Sequence, residues 1–126
     1  MDNINFIGFP KPLPREFSYD YPAPIFRRKF EVGKGLKSAI LSVCALGLGK
    51  FYFNGIDMTD ELFISPFSEY SKTLWYNDFD VTNKLHEGKN IVATVLGNGF
   101  YNESLSTCWD CNKAKWRSSP KFYFNL

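Results

Sequence analysis

Short strand-like segments separated by turn-forming residues constrain the fold of this chain more than any other feature of its sequence. Apolar and aromatic residues alternate or run together in stretches such as PIFRRKFEV (residues 24–32) and KSAILSVCAL (residues 37–46), and helical periodicity is almost absent. Turn signals recur roughly every 8 to 12 residues. This pattern predicts an all-β fold, a jelly-roll-like antiparallel β-sandwich made of two sheets.

Aromatic residues support this prediction because they suit a pleated, half-buried surface better than a helix. They make up 18% of the chain, and phenylalanine alone occurs 13 times. In LGKFYFNG (residues 48–55), Phe51 and Phe53 share one face of a strand, and Asn54-Gly55 is a strong hairpin signal. Further strands are predicted in KTLWYNDFDV (residues 72–81), NIVATVLGN (residues 90–98) and KFYFNL (residues 121–126).

The segments between these strands complete the prediction. NIVATVLGN is apolar on both faces, as expected of a strand covered on both sides. One helical turn is predicted near residues 82–86, with Asp80 and Thr82 as capping residues and Gly88 at its end. Residues 103–119 are expected to form a long loop.

The proline distribution divides the chain into two parts. Residues 1–24 hold five of the 7 prolines and predict an extended arm that lies along the domain, whereas residues 25–126 predict the sandwich. A chain of 126 residues is long enough for one hydrophobic core without metals or disulfides. Because the last predicted strand is not continued, we expect the chain to stop before any further domain.

Charge and composition exclude several classes of function. The net charge is +2 and the only contiguous basic residues are Arg27, Arg28 and Lys29, so neither nucleic acid nor a membrane surface is an expected partner. No apolar stretch approaches the roughly 18 residues of a membrane span. The acidic, proline-interrupted beginning does not resemble a signal peptide, and the odd number of 3 cysteines fits a reducing compartment. We therefore expect a cytoplasmic protein.

Catalytic and metal-binding patterns are weak. Asp78 and Asp80 share one face of a strand, as a glycosidase pair could, but Asp80 is better explained as a helix cap. The one histidine, His86, lies in a hydrophilic turn and has no nucleophile to pair with. Cys108 and Cys111 form a C-x-x-C pair without the second ligand pair that zinc needs. The chain alone is predicted not to be an enzyme.

Calcium is the one metal that the sequence leaves open. Asp57, Asp60 and Glu61 offer hard oxygen ligands close to Asn54. A calcium loop with regularly spaced acidic residues and a glycine is absent from this stretch. Calcium is therefore a possible ligand, and no metal site is assigned.

Loops that combine amide and aromatic side chains are the strongest candidates for a binding site. Asn54-Gly55, the segment SPFSEY (residues 65–70) and the segment GNGFYN (residues 97–102) each follow a predicted strand. Sugar recognition uses this mixture, an aromatic face for the C–H side of the ring and amides for its hydroxyl groups. The alternative is that the asparagines and glycines only form turns while the aromatic rings seal one end of the sandwich.

Several of these segments together resemble a known family. GLGKFYFNG, the SEY that precedes a strand, YNDFDVTNKLHEGKN and LGNGFY occur in the order and spacing of the N-terminal β-sandwich module of bacterial α-L-rhamnosidases of glycoside hydrolase family 78. The resemblance covers residues 25–126. Members of this family carry a helical-barrel catalytic domain further along the chain, so no catalytic residue is transferred to this sequence.

The resemblance implies an accessory role. It predicts a module that packs against the catalytic domain of its parent enzyme and binds rhamnose-containing glycans, with a tentative site formed by Asn54, Phe67, Asn98, Tyr101 and Asn102. Phe67 and Phe100 stand where the family usually has tryptophan, and Thr59 replaces a common glycine, which predicts weaker binding. The alternative function is a stand-alone β-sandwich module that binds other proteins.

Overall fold

The structure is a computed structural model that describes residues 5–9, 22–58, 60–103 and 109–126. These residues form eight β-strands: β1 (Ile7–Gly8), β2 (Ile25–Val32), β3 (Ile40–Leu46), β4 (Leu48–Phe53), β5 (Ile56–Asp57), β6 (Asn77–Asp80), β7 (Gly88–Gly97) and β8 (Lys121–Asn125). Their helical content is limited to single 3₁₀ turns at Thr82–Lys84, Phe100–Asn102 and Cys111–Lys113. No helix among them is long and apolar enough to cross a membrane.

The strands form two four-stranded antiparallel sheets with jelly-roll topology. The first sheet has the order β1-β8-β3-β6 and the second has the order β2-β7-β4-β5. Most successive strands therefore lie in opposite sheets, and the paired strands are antiparallel throughout. The predicted fold class is confirmed, because an eight-stranded double sheet of this order is a jelly roll.

The hydrophobic core lies between the two sheets and is built from alternating residues. Leu41, Val43 and Ala45 of β3 face Phe51 and Phe53 of β4, and all five are almost completely buried. This burial follows from strand geometry, which points every second side chain to the same face. Aromatic rings from three different strands meet edge to face in this core, in the pairs Phe26–Phe122, Phe51–Phe122 and Phe30–Phe53.

A second apolar layer covers part of the outer face of the first sheet. Cys44 and Leu46 of β3 point away from the main core and are nevertheless buried. Tyr70, Tyr101 and Trp116 pack over them from three loops, and we call these three rings the aromatic cluster. The ring centroids of Tyr70 and Trp116 are 4.8 Å apart, and those of Tyr101 and Trp116 are 5.9 Å apart with the rings stacked. The first sheet is thus covered on both sides at this end.

The strand predicted over residues 72–81 is much shorter in the structure. β6 comprises only Asn77–Asp80, and the preceding Leu74, Trp75 and Tyr76 are exposed. β6 is an edge strand whose pairing with β3 begins at Asn77. Beyond that point the backbone N–H of Ala45 in β3 donates to the Ser65 hydroxyl at 2.8 Å, so the three apolar residues before Asn77 do not join the ladder. The high β-propensity of these three residues predicts a strand, but the pairing with β3 does not extend to them.

The predicted helical turn is present as the single turn Thr82–Lys84, although its cap differs in detail. The Asp80 carboxylate accepts a hydrogen bond from the backbone N–H of Thr82 at 2.9 Å. The Thr82 hydroxyl instead accepts from the backbone N–H of Ala39, and so ties the turn to the segment that leads into β3. Gly88 begins β7 in the left-handed region, with φ 89°.

Two other segments differ from the sequence-based description. β7 is fully buried on its inner face at Asn90, Thr94 and Leu96, but its outer face is only half-buried, because no second layer covers it among the described residues. The described part of the proline-rich arm includes Ile7 and Gly8, which pair with Phe122 and Lys121 of β8. This part of the arm is therefore a strand of the first sheet.

Candidate functional site

Asn54 and Asn90 form a buried amide network at one end of the sandwich. The Asn54 side chain accepts from the backbone N–H of Ile91 at 2.9 Å and donates to the Lys84 carbonyl and to Asn90 Oδ1. Asn90, which is 0% exposed, donates to the carbonyls of His86 and Gly88 and also accepts from the His86 N–H. Every donor and acceptor of both amides is used within the protein.

The backbone conformation explains why asparagine occupies position 54. Asn54 follows β4 with φ 52°, in the left-handed region that asparagine tolerates better than other residues with a Cβ. Its backbone N–H donates to the Ile91 carbonyl at 2.8 Å. Backbone and side chain together fasten the β4–β5 hairpin to β7, so Asn54 acts as a structural residue.

A second asparagine pair lies at the opposite end of β7. Asn102 is 3% exposed and donates through Nδ2 to Asn98 Oδ1 at 2.9 Å, and its backbone N–H donates to the Asn98 carbonyl. Between them, Gly99 has φ 50°, and a Cβ at that position would lie 3.1 Å from Leu48 and close to the Gly47 backbone. The glycine allows the chain to turn sharply out of β7 against the start of β4.

The structure does not bring the five predicted sugar-site residues together. Asn98 and Asn102 follow the last residue of β7, whereas Asn54 pairs near its beginning, opposite Ile91. Phe67 and Tyr101 belong to the Asn98 end. The expectation that Asn54 lines the same end is thus corrected, because antiparallel pairing of β4 with β7 places the β4–β5 hairpin at the other end of the sheet.

Tyr101 is part of the aromatic cluster and is not a free surface ring. It is 5% exposed, its ring stacks on Trp116, and its hydroxyl lies 3.0 Å from the Ser118 hydroxyl. A sugar could stack on this ring only if the cluster opened. Of the four predicted residues at this end of the sandwich, Tyr101 and Asn102 are buried, Asn98 is half-buried and Phe67 is exposed.

Phe67 and Phe100 form an exposed pair of rings supported by the aromatic cluster. Their centroids are 5.4 Å apart with an interplanar angle of 75°, and Phe67 also packs edge to face on Tyr70 at 5.6 Å. The exposed fractions are 54% for Phe67 and 47% for Phe100. Both rings are held in place from below while one face of the pair remains open to solvent.

A groove beside this ring pair combines apolar and polar groups. This loop groove has a volume of about 490 Å³, and its lining includes Leu48, Glu61, Phe63, Phe67, Asn77 and Phe100. Glu61 is exposed, and Asn77 lies on the inner face of β6 opposite Val43. The buried Oδ1 atom of Asn77 has no hydrogen-bond partner among the described residues, which marks an unused acceptor next to the groove.

Trp109 forms a second, more apolar pocket on the same ring pair. This pocket, of about 270 Å³, is lined by Phe67, Phe100, Trp109 and Cys111. Trp109 is 74% exposed, and Cys111 is buried. Its C-x-x-C partner Cys108 lies outside the described residues. The exposed rings therefore border a polar groove and an apolar pocket at once.

The candidate acids lie apart from this groove and are arranged as surface groups. Asp78 accepts a hydrogen bond from the Ser42 hydroxyl at 2.5 Å, and Asp80 accepts from Thr82. These hydrogen bonds from Thr82 hold the pKa of Asp80 below its usual value. A glycosidase general acid needs a raised pKa. Asp80 has the opposite shift, and it therefore suits a capping role.

The groups considered for metal binding do not form a calcium site. Asp57 Oδ2 lies 2.6 Å from Lys50 Nζ, so its charge is already paired with a cation. Asp60 and Glu61 lie beyond Thr59, which is outside the described residues. No group of three histidine, cysteine or acidic side chains with metal-binding geometry occurs in the described ranges. Asn54, whose amide is fully used, adds no free ligand.

The structure also shows the surroundings of Cys44 and His86. Cys44 is buried under the aromatic cluster, and burial raises the pKa of its thiol to about 11. It is therefore a poor nucleophile at neutral pH. His86 is exposed in the turn before β7, as its hydrophilic neighbours indicated.

Sequence reasoning missed three residues of these sites. Asn90 was not distinguished from a strand residue, although a polar residue inside an apolar strand signals a buried hydrogen-bond network. Asn77 was assigned to a strand without a binding role, and nothing local indicates that its amide lacks a partner. Phe100 belongs to the candidate segment GNGFYN but was not among the five predicted site residues, although its neighbour Gly99 signals the turn that exposes it.

Comparison with known proteins identifies the family. A family model described as the α-L-rhamnosidase N-terminal domain matches residues 34–126. The chain belongs to this family. The α-L-rhamnosidase N-terminal domain fold is thus the one described above, and the resemblance noted from the sequence motifs is confirmed.

Relatives of the domain are much longer proteins. An α-L-rhamnosidase of Formosa agariphila is 31% identical over 101 residues, which make up 80% of this chain and 10% of that protein. The crystal structure of an α-L-rhamnosidase from Aspergillus terreus is 26% identical with a TM-score of 0.75, covering 96% of this chain and 14% of that one. An α-L-rhamnosidase from Dictyoglumus thermophilum is 29% identical with a TM-score of 0.67, covering 82% and 10%. The chain spans about a tenth of the length of its curated relatives.

Proposed function

We propose that this domain is a non-catalytic accessory part of an α-L-rhamnosidase and that its loop groove binds a sugar ring of a rhamnose-containing glycan. The observation that carries the proposal is the exposed pair Phe67 and Phe100, held on the aromatic cluster beside the polar groups of the groove. Family membership supports the parent activity, since the curated relatives are themselves α-L-rhamnosidases.

The chemistry of the groove suits one sugar ring. The C–H face of a sugar packs on an aromatic face, and the two rings meet at 75°, so one ring can stack while the other closes the side of the groove. The Glu61 carboxylate can accept hydrogen bonds from vicinal hydroxyl groups. A small rotation of Asn77 would bring its unused Oδ1 atom to a third hydroxyl, which would satisfy an acceptor that lacks a partner in the described residues.

The non-catalytic role is supported by the position of the acids. Glycoside hydrolysis uses two carboxyl groups on either side of the scissile bond, one of them with a raised pKa. Glu61 is the one carboxylate in the lining of the loop groove. Asp78 and Asp80 lie on the outer face of β6 and are engaged with Ser42 and Thr82. The groove is therefore suited to hold a sugar and not to cleave one.

The test is an NMR titration of the full chain with L-rhamnose. Amide shifts near Phe67, Asn77 and Phe100 should saturate in the millimolar range, which corresponds to about 4 kcal/mol of binding free energy. Phe67→Ala should weaken binding at least about tenfold because it removes a stacking face. Trp75→Ala is the matched control, since Trp75 is 55% exposed, about the same as Phe67, and is absent from the lining of the groove.

Three results would contradict the proposal. Shifts confined to residues outside the loop groove would place any sugar site elsewhere on the domain. Equal loss of binding in Phe67→Ala and Trp75→Ala would show that the sugar contacts exposed aromatic rings without selection. Release of nitrophenol from a nitrophenyl rhamnoside by this chain alone would overturn the non-catalytic assignment.

A further inference from the structure

The free edge of the second sheet has features that neither the core nor the loop groove explains. β2 pairs along eight residues with β7 and has no other partner strand among the described residues. Across the sandwich from it, β1 contributes only Ile7 and Gly8 to the first sheet. An apolar edge groove of about 240 Å³ lies at this side, and its lining includes Ile7, Phe26, Arg28, Val92, Phe122 and Phe124.

Arg28 occupies an unusual place in this edge groove. Its register partner in β7 is Val92, and the neighbouring inner-face pairs are Phe26 with Thr94 and Phe30 with Asn90. Because strand side chains alternate, Arg28 lies on the inner face of β2 between two phenylalanines. It is nevertheless exposed, since the edge groove is open. An inward-pointing charge on an edge strand opposes any added strand that places an apolar residue beside it.

The charge of this edge selects the kind of strand that can pair with it. Arg27, Arg28 and Lys29 are consecutive and all exposed. In a symmetric antiparallel pairing of two copies centred on Arg28, these cations would face one another, so a second copy of this chain is a poor occupant in that register. An acidic strand would instead meet an opposite charge at three successive positions, with the inner one facing a guanidinium that can bind a carboxylate bidentately.

We propose that the free edge of β2 binds an extended acidic segment from the remainder of the parent protein, which adds to the second sheet as a further strand. The segment would place one carboxylate opposite Arg28 and an apolar side chain two residues to either side, pointing into the edge groove. Backbone hydrogen bonds supply affinity in such strand addition, and the alternating side chains supply specificity. The long remainder of the curated relatives offers a source for this segment. The proposal is independent of sugar binding at the loop groove.

A synthetic peptide can stand in for the segment. The probe is acetyl-GIEEEIG-amide, in which the central glutamate and the two isoleucines share one face of a strand. A peptide of the same composition, acetyl-GEIEIEG-amide, is the control, because it carries the same charge but places both isoleucines on the face opposite the central glutamate. Binding to the full chain is followed by NMR, together with hydrogen exchange of the β2 amides. We expect the probe to bind at least about tenfold more tightly than the control and to slow exchange along β2.

Charge reversal at two neighbouring positions separates specific pairing from general attraction. Arg28→Glu and Lys29→Glu change the net charge equally, but only Arg28 lies on the inner face of β2. We expect Arg28→Glu to weaken binding of the probe at least about tenfold, and Lys29→Glu to weaken it only about two- to threefold. Replacing the central glutamate of the probe by lysine should restore binding to the Arg28→Glu variant and abolish it for the unmodified chain.

Several results would overturn the proposal. Equal weakening by both reversals, or equal binding of both peptides, would reduce the interaction to general electrostatic attraction. If millimolar probe caused no NMR chemical-shift change in β2, the edge would not bind a segment of this kind. Concentration-dependent self-association in sedimentation, lost in Arg28→Glu, would assign the edge to a second copy of the chain.

Discussion

The two asparagine pairs at opposite ends of β7 show how one residue type serves two different purposes. Asn54 and Asn90 use all of their hydrogen-bonding groups to join three separate segments, namely the β4–β5 hairpin, the turn at Lys84–His86 and β7. Asn98 and Asn102 bond to each other within a single loop. The first pair therefore contributes to global stability, whereas the second shapes the loop that presents Phe100.

The difference shows that the number of chain segments joined matters more than the residue type. An amide that bridges distant segments leaves several buried partners unsatisfied when it is removed, and each unsatisfied group costs free energy. An amide that bonds to a residue four positions away in the same loop leaves fewer buried groups unsatisfied when it is removed. Substitutions at the two asparagine pairs test this distinction, and a substitution at Asp80 follows them. They are given in order of decreasing effect on the free energy of unfolding.

Asn90→Ala should have the largest effect. It removes four hydrogen bonds at a site that is 0% exposed, and it leaves the His86 N–H and the carbonyls of His86 and Gly88 without their partner. We expect a loss of about 3 to 4 kcal/mol in urea denaturation. Asn83→Ala, at an exposed asparagine of the same turn, is the control and should change stability by less than about 0.5 kcal/mol. Equal losses would refute the ranking.

Asn54→Ala should follow, with a loss of about 2 to 3 kcal/mol. It removes three side-chain hydrogen bonds and also places alanine at φ 52°. Asn54→Gly removes the same hydrogen bonds without the conformational strain, so it should be more stable than Asn54→Ala by about 1 kcal/mol. Thermal denaturation of the two variants measures the difference. Identical midpoints would mean that backbone strain does not contribute at this turn.

Asn98 and Asn102 should behave as a coupled pair of smaller effect. Each alanine substitution removes the same side-chain hydrogen bond, so each should cost about 1 to 2 kcal/mol. The double variant should be scarcely less stable than the worse single variant, giving a coupling energy of about 1 kcal/mol. Urea denaturation of the four proteins completes the cycle. Strict additivity would indicate that each side chain acts through separate contacts.

Asp80→Asn should have the smallest effect, and it should depend on pH. The hydrogen bonds from Thr82 lower the pKa of Asp80 in the folded state, so its ionised form stabilises the fold above the unfolded-state pKa. This contribution is lost as the pH falls through the lowered, folded-state value. The stability gap between Asp80→Asn and the unmodified chain should therefore be present at pH 7 and close in strong acid. A stability difference that did not change with pH would show that it arises from replacing the carboxylate by an amide and not from the charge of Asp80.

The sequence was sufficient for the fold because its local signals agree with the tertiary pairing. Phe51 and Phe53 alternate on a strand that ends at Asn54-Gly55, and the structure has both the strand and the hairpin. Local signals failed where pairing decides the outcome, as at Trp75 and Tyr76, which have strand propensity but lie outside the pairing of β6 with β3.

The candidate site was less predictable because it depends on which ends of strands meet. Asn54 and Asn98 both follow apolar strands, and only the antiparallel register of β4 with β7 shows that they lie at opposite ends. The burial of Tyr101 depends on Trp116, which is distant in sequence and has no periodic pattern that would place it on β3. Phe67 stays a predicted site residue, and its exposure agrees with its position in the short polar segment SPFSEY.

The pairing of β1 with β8 has a consequence for the order of events during synthesis. Ile7 and Gly8 cannot pair until Phe122 and Lys121 have been synthesised, so the first sheet is completed last. β2 likewise pairs with β7 only after most of the chain has been made. At ribosomal rates this delay is roughly 5 to 25 s. Long-range pairing of this kind slows folding, because the closure entropy precedes the contacts that offset it. The apolar strands of the first sheet therefore lack part of their pairing on the nascent chain until β8 emerges, and transiently exposed apolar strands of this kind favour aggregation.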